Sequence, residues 1–133
     1  MTAPNYRTGK ICYVEIPSTD IATSAEFYQR VFGWDIRQRG DGTTAFDDSV
    51  HEVSGTWVLG RRPVAEGSLT VHIMVGNAAR AADAVVAAGG DIVQPIDPDA
   101  HVVYFLFHDP AGNVMGAYEQ PGLEEAEGFG SAS

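Results

Sequence analysis

The sequence predicts an α+β fold: two βαβββ modules whose curved mixed sheets surround a shared cavity, with one helix packed outside each sheet. Three observations predict it. An alternating strand pattern recurs at an offset of 57 residues, a stretch with helical periodicity follows each copy, and three short strand-like runs follow each helix. A chain of 133 residues, 44% of them apolar, suits one compact structural domain of this kind.

The first module is predicted over residues 10–60. The segment Cys12–Asp20 opens it with an alternating strand and a short break, and Asp20 then suits the N-cap of a helix. The helix is predicted over Ile21–Phe32, because apolar side chains recur there at helical intervals, and Gly33 suits its left-handed end. Three strand-like runs complete the module, at residues 34–39, 43–46 and 53–59.

The second module is predicted over residues 68–120, after a linker at residues 61–67 that contains Pro and Gly. Its opening strand is expected at residues 69–75, and an Ala-rich helix at residues 78–88 ends at a pair of glycines. Three strands follow, at residues 91–95, 102–108 and 114–119. The segment Asp109–Asn113 between the last two has the Pro and Gly of a hairpin turn.

Charge and composition exclude several classes of function. With 18 acidic against 8 basic residues the formal net charge is -10, so we do not expect nucleic acid as a partner. No apolar run reaches the roughly 18 residues of a membrane span and no signal segment is visible, so we expect no membrane partner and a cytoplasmic location. Cys12 has no cysteine to pair with and is expected to be buried as a small hydrophobe.

The two ends of the chain are expected to lie outside the structural domain. Residues 1–9 are predicted to form an N-terminal arm. Residues 121–133, rich in acids, Gly and Ser, are predicted to form a mobile acidic tail because they can bury little apolar area. Residues 10–120 are then one structural domain that contains both modules.

The strands that open the modules each have a second face, opposite the side chains expected under the helix. This face holds Tyr13 and Glu15 in the first strand, and Thr70, His72 and Met74 in the second. A helix-covered core does not favour such a mixed polar and aromatic set, so we expect these side chains to line a cavity. At the offset of 57 residues Glu15 coincides with His72, which makes the two a candidate acid/base pair or an ion pair that fixes the register between modules.

A set of short motifs in a fixed order resembles a known superfamily. The motifs are Asp20 followed by Phe27-Tyr28 and Val31-Phe-Gly-Trp34, then Gly89-Gly90, then Phe107-His-Asp-Pro-Ala-Gly-Asn113. In this order and spacing, from Lys10 to Gln120, the chain resembles the vicinal oxygen chelate superfamily. That superfamily includes glyoxalase I, the bleomycin-resistance proteins, fosfomycin-resistance enzymes and extradiol dioxygenases.

The resemblance implies four ligand positions for a divalent metal, on the first and last strands of each unit. By spacing they fall on Tyr13, Thr70, Gly116, and Leu59 or, with a shifted register, Trp57. None of these is a usual ligand of a catalytic divalent ion, so we expect neither a metal nor another cofactor. A displaced metal site that uses Glu15 and His72 stays open as an alternative, although it lacks further ligands.

We therefore expect a metal-independent protein, similar to the bleomycin-resistance type, that binds a small organic ligand in the cavity between the modules. The ligand-binding residues are predicted to be Tyr13, Glu15, Phe46, Trp57, Leu59, Thr70, His72, Met74 and Tyr118. An alternative is a metal-independent lyase or isomerase in which His72 is the acid/base and Glu15 orients it. A glyoxalase- or dioxygenase-like metalloenzyme with a displaced site is a third, so whether the protein is an enzyme stays open. A homodimer is expected.

Overall fold

Two four-stranded mixed sheets, each with a helix of its own, organise the chain. The computed structural model describes residues 6–128, and the chain divides into unit 1, Met1–Arg62, and unit 2, Pro63–Ser133. Each unit has the element order β-α-β-β-β, and neither sheet closes into a barrel. The predicted α+β class with two βαβββ modules is confirmed.

Unit 1 contains five elements, and the caps of its helix explain where the helix begins and ends. The elements are β1 (Tyr13–Ser18), α1 (Ile21–Phe32), β2 (Asp35–Gln38), β3 (Thr44–Asp47) and β4 (Ser54–Leu59). The Asp20 side chain accepts a hydrogen bond from the Thr23 amide, and Gly33 ends the helix at a φ of 72°. The sheet order is β1-β4-β3-β2, with β1 parallel to β4 and the other pairs antiparallel.

Stacked aromatic rings form the core of unit 1 between α1 and the sheet. The Trp34 ring lies 4.6 Å from the Tyr28 ring and 4.5 Å from the Phe46 ring, and Phe46 lies 4.8 Å from Trp57. Gly55 makes room for this cluster, because a Cβ there would lie 2.3 Å from the Cζ of Phe46. These buried rings hold α1 against the sheet.

Unit 2 repeats this arrangement and adds a short helix. Its elements are β5 (His72–Val75), α2 (Ala78–Ala87), β6 (Asp91–Gln94), β7 (Tyr104–His108), β8 (Val114–Glu119) and α3 (Leu123–Ala126). The sheet order is β5-β8-β7-β6, with β5 parallel to β8. Its core is made of the buried side chains of Val85, Phe105, Phe107 and Ala117.

A buried polar turn fixes the register of β7 and β8. The Asp109 carboxylate accepts from the Ala111 and Asn113 amides and from Nδ2 of Asn113, at 2.8 to 3.0 Å. Oδ1 of Asn113 accepts from the Val64 amide at 2.8 Å. Because Asp109 and Asn113 are buried with these bonds made, the turn holds the hairpin in one register.

Three regions differ from what the sequence suggests. Cys12 precedes β1 and is exposed, so its predicted burial is wrong. Strand β5 begins only at His72, three residues after its predicted start at Leu69, and Leu69 is exposed. Within the predicted tail, α3 is attached to α2, because Glu124 accepts from Nδ2 of Asn77 at 3.0 Å and pairs with Arg80 at 2.7 Å. The rest of the predicted tail, residues 129–133, and the start of the predicted arm, residues 1–5, lie outside the described residues.

Among residues 6–128, no helix has the length and apolar character that crossing a membrane requires.

Candidate functional site

A cavity of about 420 Å³ lies on the face of the second sheet that is opposite its buried core. We call this the open face of unit 2. Five side chains line the cavity: His72, Met74, Val102, Tyr104 and Tyr118. The strand register places four of them together. Tyr118 on β8 pairs with Met74 on β5 and with Tyr104 on β7. His72, two residues before Met74 on the same strand, pairs with Gly116. The side chains of two residues that pair across neighbouring strands project to the same face of the sheet, whether the strands are parallel or antiparallel.

The His72 ring lies directly over Gly116. A Cβ built on Gly116 would be 2.2 Å from Nδ1 of His72 and 2.5 Å from its Cε1. Any side chain at this position would therefore collide with the imidazole. The ring also meets the Tyr104 ring edge-on, with centroids 5.6 Å apart. Gly116 and Tyr104 together define where the imidazole lies.

The polar side chains of this cavity can form further hydrogen bonds. Gln94 donates from Nε2 to the Tyr104 hydroxyl oxygen at 2.9 Å, so the hydroxyl proton is left for another acceptor. Within residues 6–128, no protein group accepts that proton, and neither His72 nor Tyr118 has a side-chain hydrogen-bond partner. No Asp, Glu, Lys or Arg is among the lining residues. The cavity therefore combines apolar walls with three uncommitted polar side chains.

The first sheet has a polar counterpart, the face that carries Tyr13, Glu15 and Asp47, which we call the open face of unit 1. Glu15 forms an ion pair with Arg61 at 3.0 Å, and both side chains are about half exposed. The Tyr13 hydroxyl accepts from Arg39, whose guanidinium carbon lies 5.5 Å from the centre of the Tyr13 ring. Two of the predicted site residues are thus each paired with an arginine of their own unit.

Further along this face, two charged pairs shift the pKa values of their members. The Arg37 guanidinium donates to Asp47 at 2.8 Å, and this bond, with help from the Ser54 hydroxyl, holds the pKa of the Asp47 carboxyl below its usual value despite partial burial. The hydrogen bond between His51 and Asp35 raises the pKa of the exposed His51 imidazole. These pairs form a charged surface without an apolar wall.

Comparison with known proteins identifies the family. A family model described as a glyoxalase-like domain matches residues 13–117. The chain belongs to the glyoxalase-like domain family. A glyoxylase-like domain-containing protein of Didymella fabae is 30% identical over 125 residues, and the match covers 86% of this chain and 96% of that protein.

Solved structures agree with this assignment at the level of the fold. A glyoxalase/bleomycin resistance protein/dioxygenase family enzyme from Burkholderia phytofirmans PsJN matches with a TM-score of 0.65 and 19% identity, over 84% of this chain and 98% of that one. TioX from Micromonospora sp. ML1 matches with a TM-score of 0.57 and 25% identity, over 84% and 98%. The predicted resemblance to the vicinal oxygen chelate superfamily is confirmed.

The residues of this glyoxalase-like protein do not fit the divalent metal that the superfamily implies. At the last-strand position of unit 2 stands Gly116, and the His72 ring occupies the space that a metal-ligating side chain there would need. Tyr13 and Thr70 hold the first-strand positions, and neither is a usual ligand. Within each unit, the residues from 6 to 128 contain no group of three or more His, Cys, Asp or Glu that could hold a metal ion.

The remaining predicted ligand residues of the glyoxalase-like protein lie elsewhere. Strand alternation suggests that Trp57, predicted to bind the ligand, points away from the helix, and this is wrong. Trp57 pairs with the buried Ile16, and its ring lies 6.0 Å from that of Tyr28 on α1. Phe46 lies in the same aromatic core. Leu59 is exposed at the end of β4, and Thr70 lies just before β5. The binding roles predicted for these residues stay predictions.

A second cavity, of about 610 Å³, lies between α1 and the end of the β2–β3 hairpin in unit 1. Trp57 lines it together with Gln29, Gln38 and Thr44. Its Nε1 is buried and has no hydrogen-bond partner among the residues that the structure describes. The buried indole N–H is thus an unsatisfied hydrogen-bond donor among the residues that the structure describes in unit 1.

Val102 and Tyr104 line the cavity although they are not among the residues predicted to bind a ligand. A signal for Tyr104 was present, since counting back from the Asp109–Asn113 turn pairs Tyr104 with Tyr118 across the hairpin. His72, Met74 and Tyr118, which the sequence analysis named, do lie together on the open face of unit 2. The predicted pairing of His72 with Glu15 spans the two units and stays a prediction.

Proposed function

We propose that this glyoxalase-like protein binds a small organic ligand in the cavity on the open face of unit 2, without a bound metal ion. One observation carries the proposal. A cavity of about 420 Å³ combines the apolar side chains of Met74 and Val102 with three hydrogen-bonding rings whose polar atoms keep unused capacity. Ligand sites have this composition: mostly apolar walls with a few polar groups that fix the orientation of the ligand.

The position of His72 supports a site that works without metal. The imidazole lies against Gly116, where a metal-binding relative would need a longer side chain. An imidazole in this position can bond a ligand directly, because it has a donor in either protonation state. The proposed role of His72 is therefore to anchor the ligand.

A pair of matched valine substitutions tests the proposal. Val102 in the cavity and Val86 on α2 are 54% and 55% exposed, so an aspartate at either place is tolerated equally well by the surface. N-phenyl-naphthylamine, an uncharged dye that fluoresces in apolar cavities, serves as the probe. We expect Val102→Asp to weaken dye binding at least about tenfold, because it puts a carboxylate into an apolar wall. Val86→Asp leaves the affinity unchanged.

The proposal is wrong if the unchanged protein shows no saturable dye binding, or if both aspartate variants bind the dye as the unchanged protein does. Melting temperatures of the two variants confirm that both are folded.

A second candidate function is a metal-independent lyase or isomerase in which His72 transfers a proton. The free ring nitrogens of His72 favour it, since a proton-transfer group must not be occupied by the protein. Glu15 is proposed to orient the imidazole, as the 57-residue offset between the two residues suggests.

His72→Asn tests this function, because it keeps a hydrogen-bonding side chain but removes the base. For a substrate that the protein converts, we expect His72→Asn to lower kcat about 100-fold or more with little change in affinity; if affinity alone falls, His72 is a binding residue.

We also propose that the protein is a cytoplasmic homodimer. Within each unit the outer strands of the sheet, β1 and β2 or β5 and β6, pair on one side only. Strand edges of this kind are suited to association with a second copy.

A further inference from the structure

We infer that the ligand of the unit 2 cavity is an aromatic compound without positive charge that accepts a hydrogen bond from Tyr104 through a carbonyl or carboxylate oxygen. This inference rests on the proposed function, because it concerns the same cavity and names the class of compound that fits it.

The hydrogen bond between Gln94 and Tyr104 has a defined direction. The Gln94 amide donates to the Tyr104 hydroxyl oxygen at 2.9 Å. A phenol that accepts a bond there still has its own proton to give, and within residues 6–128 no acceptor takes it. Because Gln94 already donates to the hydroxyl oxygen, Tyr104 is left with its proton to donate to a ligand in the cavity. A ligand that offers only donors would leave this proton unsatisfied, at a cost in affinity.

The lining of the cavity carries no charged side chain, and this affects which ligands it favours. The cavity is lined without a single Asp, Glu, Lys or Arg, so it offers neither a counter-ion nor a strong repulsion to an ionised ligand. A cationic ligand would lose water and gain only cation–π contact with the rings, with no carboxylate to balance its charge. An anionic oxygen, by contrast, can accept charge-assisted bonds from Tyr104, from Tyr118 and from an N–H of His72. The lining therefore discriminates against cations and accepts neutral or anionic oxygens.

The rings and the thioether of the cavity wall favour a flat ligand. The rings of His72, Tyr104 and Tyr118 lie together with the thioether of Met74, and the His72 and Tyr104 rings are inclined at 74°. Rings and a thioether favour contact with another ring, by stacking or by sulfur to aromatic contact. A flat aromatic body thus fills the apolar part of the cavity while its oxygen reaches the hydroxyl of Tyr104.

A series of four naphthalenes, substituted at the same ring position, tests the class of ligand. Acetonaphthone carries a neutral acceptor, naphthoate an anionic one, ethylnaphthalene none, and naphthylmethylammonium a cation. Titration calorimetry on the unchanged protein is expected to show the ketone and the carboxylate binding about 3- to 10-fold more tightly than ethylnaphthalene, the range of one hydrogen bond. The ammonium compound is expected to bind most weakly.

Two substitutions test the role of Tyr104 and of its orientation by Gln94. Tyr104→Phe keeps the ring and removes the donor, so the affinity for acetonaphthone is expected to fall about 3- to 10-fold while that for ethylnaphthalene is kept. Gln94→Glu keeps the hydroxyl, but a carboxylate can only accept and therefore takes the Tyr104 proton. It is expected to cause the same loss for the neutral ketone.

The controls make the same chemical changes outside the cavity. Tyr6→Phe alters a tyrosine that is 84% exposed. Gln38→Glu alters a glutamine that donates to the Thr44 hydroxyl at 3.1 Å and lines the second cavity, in unit 1, so this control also reports any binding there. Neither is expected to change any of the four affinities.

The outcomes separate the two proposals. If none of the four compounds binds, the proposed function and the inference both fail. If they bind with affinities that do not depend on the oxygen, on Tyr104 or on Gln94, or if the ammonium compound binds most tightly, the function stands and the inference is wrong.

Discussion

At Gly116 the missing side chain gives the His72 imidazole its position in the cavity. A Cβ there would lie 2.2 Å from Nδ1 of His72, well inside contact distance. The clash is with the His72 side chain, which can turn away, so the structure as a whole can accommodate an added methyl group. If the His72 side chain turns away from the added methyl group, the imidazole loses its position in the cavity. A glycine inside a strand lowers stability, and here the same glycine leaves the space that the His72 imidazole occupies.

A double-mutant cycle measures this interaction. In the His72→Ala background, Gly116→Ala is expected to raise the free energy of unfolding by about 0.5–1 kcal/mol, because alanine restricts the unfolded chain more than glycine does. In the unchanged protein the collision removes that gain, so the coupling free energy is expected to be about 1 kcal/mol or more. Urea denaturation of the four proteins gives these values.

Gly55→Ala is the control for the cycle. Its added methyl group would lie 2.2 Å from the Val14 carbonyl oxygen in unit 1, so it is expected to destabilise both backgrounds equally. Additive effects of Gly116→Ala and His72→Ala would contradict the proposed dependence of the imidazole on Gly116.

At the scale of the elements, local signals predicted the helices better than the faces of the strands. Helix α1 has its predicted bounds, Ile21–Phe32, because an Asp cap and a left-handed Gly fix both ends from within the sequence. The strand Ser54–Leu59 has apolar side chains on both faces, so alternation could not decide whether Trp57 faced the helix. Pairing with Ile16 decided it, and that pairing is not local.

The cavity shows the same division between local and non-local information. His72 and Met74 share a face because they are two residues apart on one strand, which the sequence reveals directly. Tyr104 joins them only through the register of the β7–β8 hairpin, and Gln94 on β6 donates to its hydroxyl oxygen, which leaves the hydroxyl proton for another acceptor. No pattern within one segment contains that information. The ion pair of Glu15 with Arg61 was likewise beyond a reading of strand parity.

At the scale of the whole molecule, net charge and strand edges act in opposite directions on association. The formal charge of -10 makes two copies repel each other, and this repulsion extends over about 8 Å at physiological ionic strength. The outer strands of each sheet, which pair on one side only within their units, favour contact between copies through short-range hydrogen bonds. Added salt screens the first effect and leaves the second largely intact.

Light scattering at increasing salt therefore tests the proposed homodimer. We expect a mass of twice the 14.2 kDa chain, with a dimer fraction that rises as sodium chloride is added, because screening removes the repulsion between two acidic copies. If ion pairs between copies held the dimer together, salt would lower the dimer fraction instead. A mass of one chain at every salt concentration would rule the dimer out, and the ligand binding proposed for unit 2 would then be a property of the monomer.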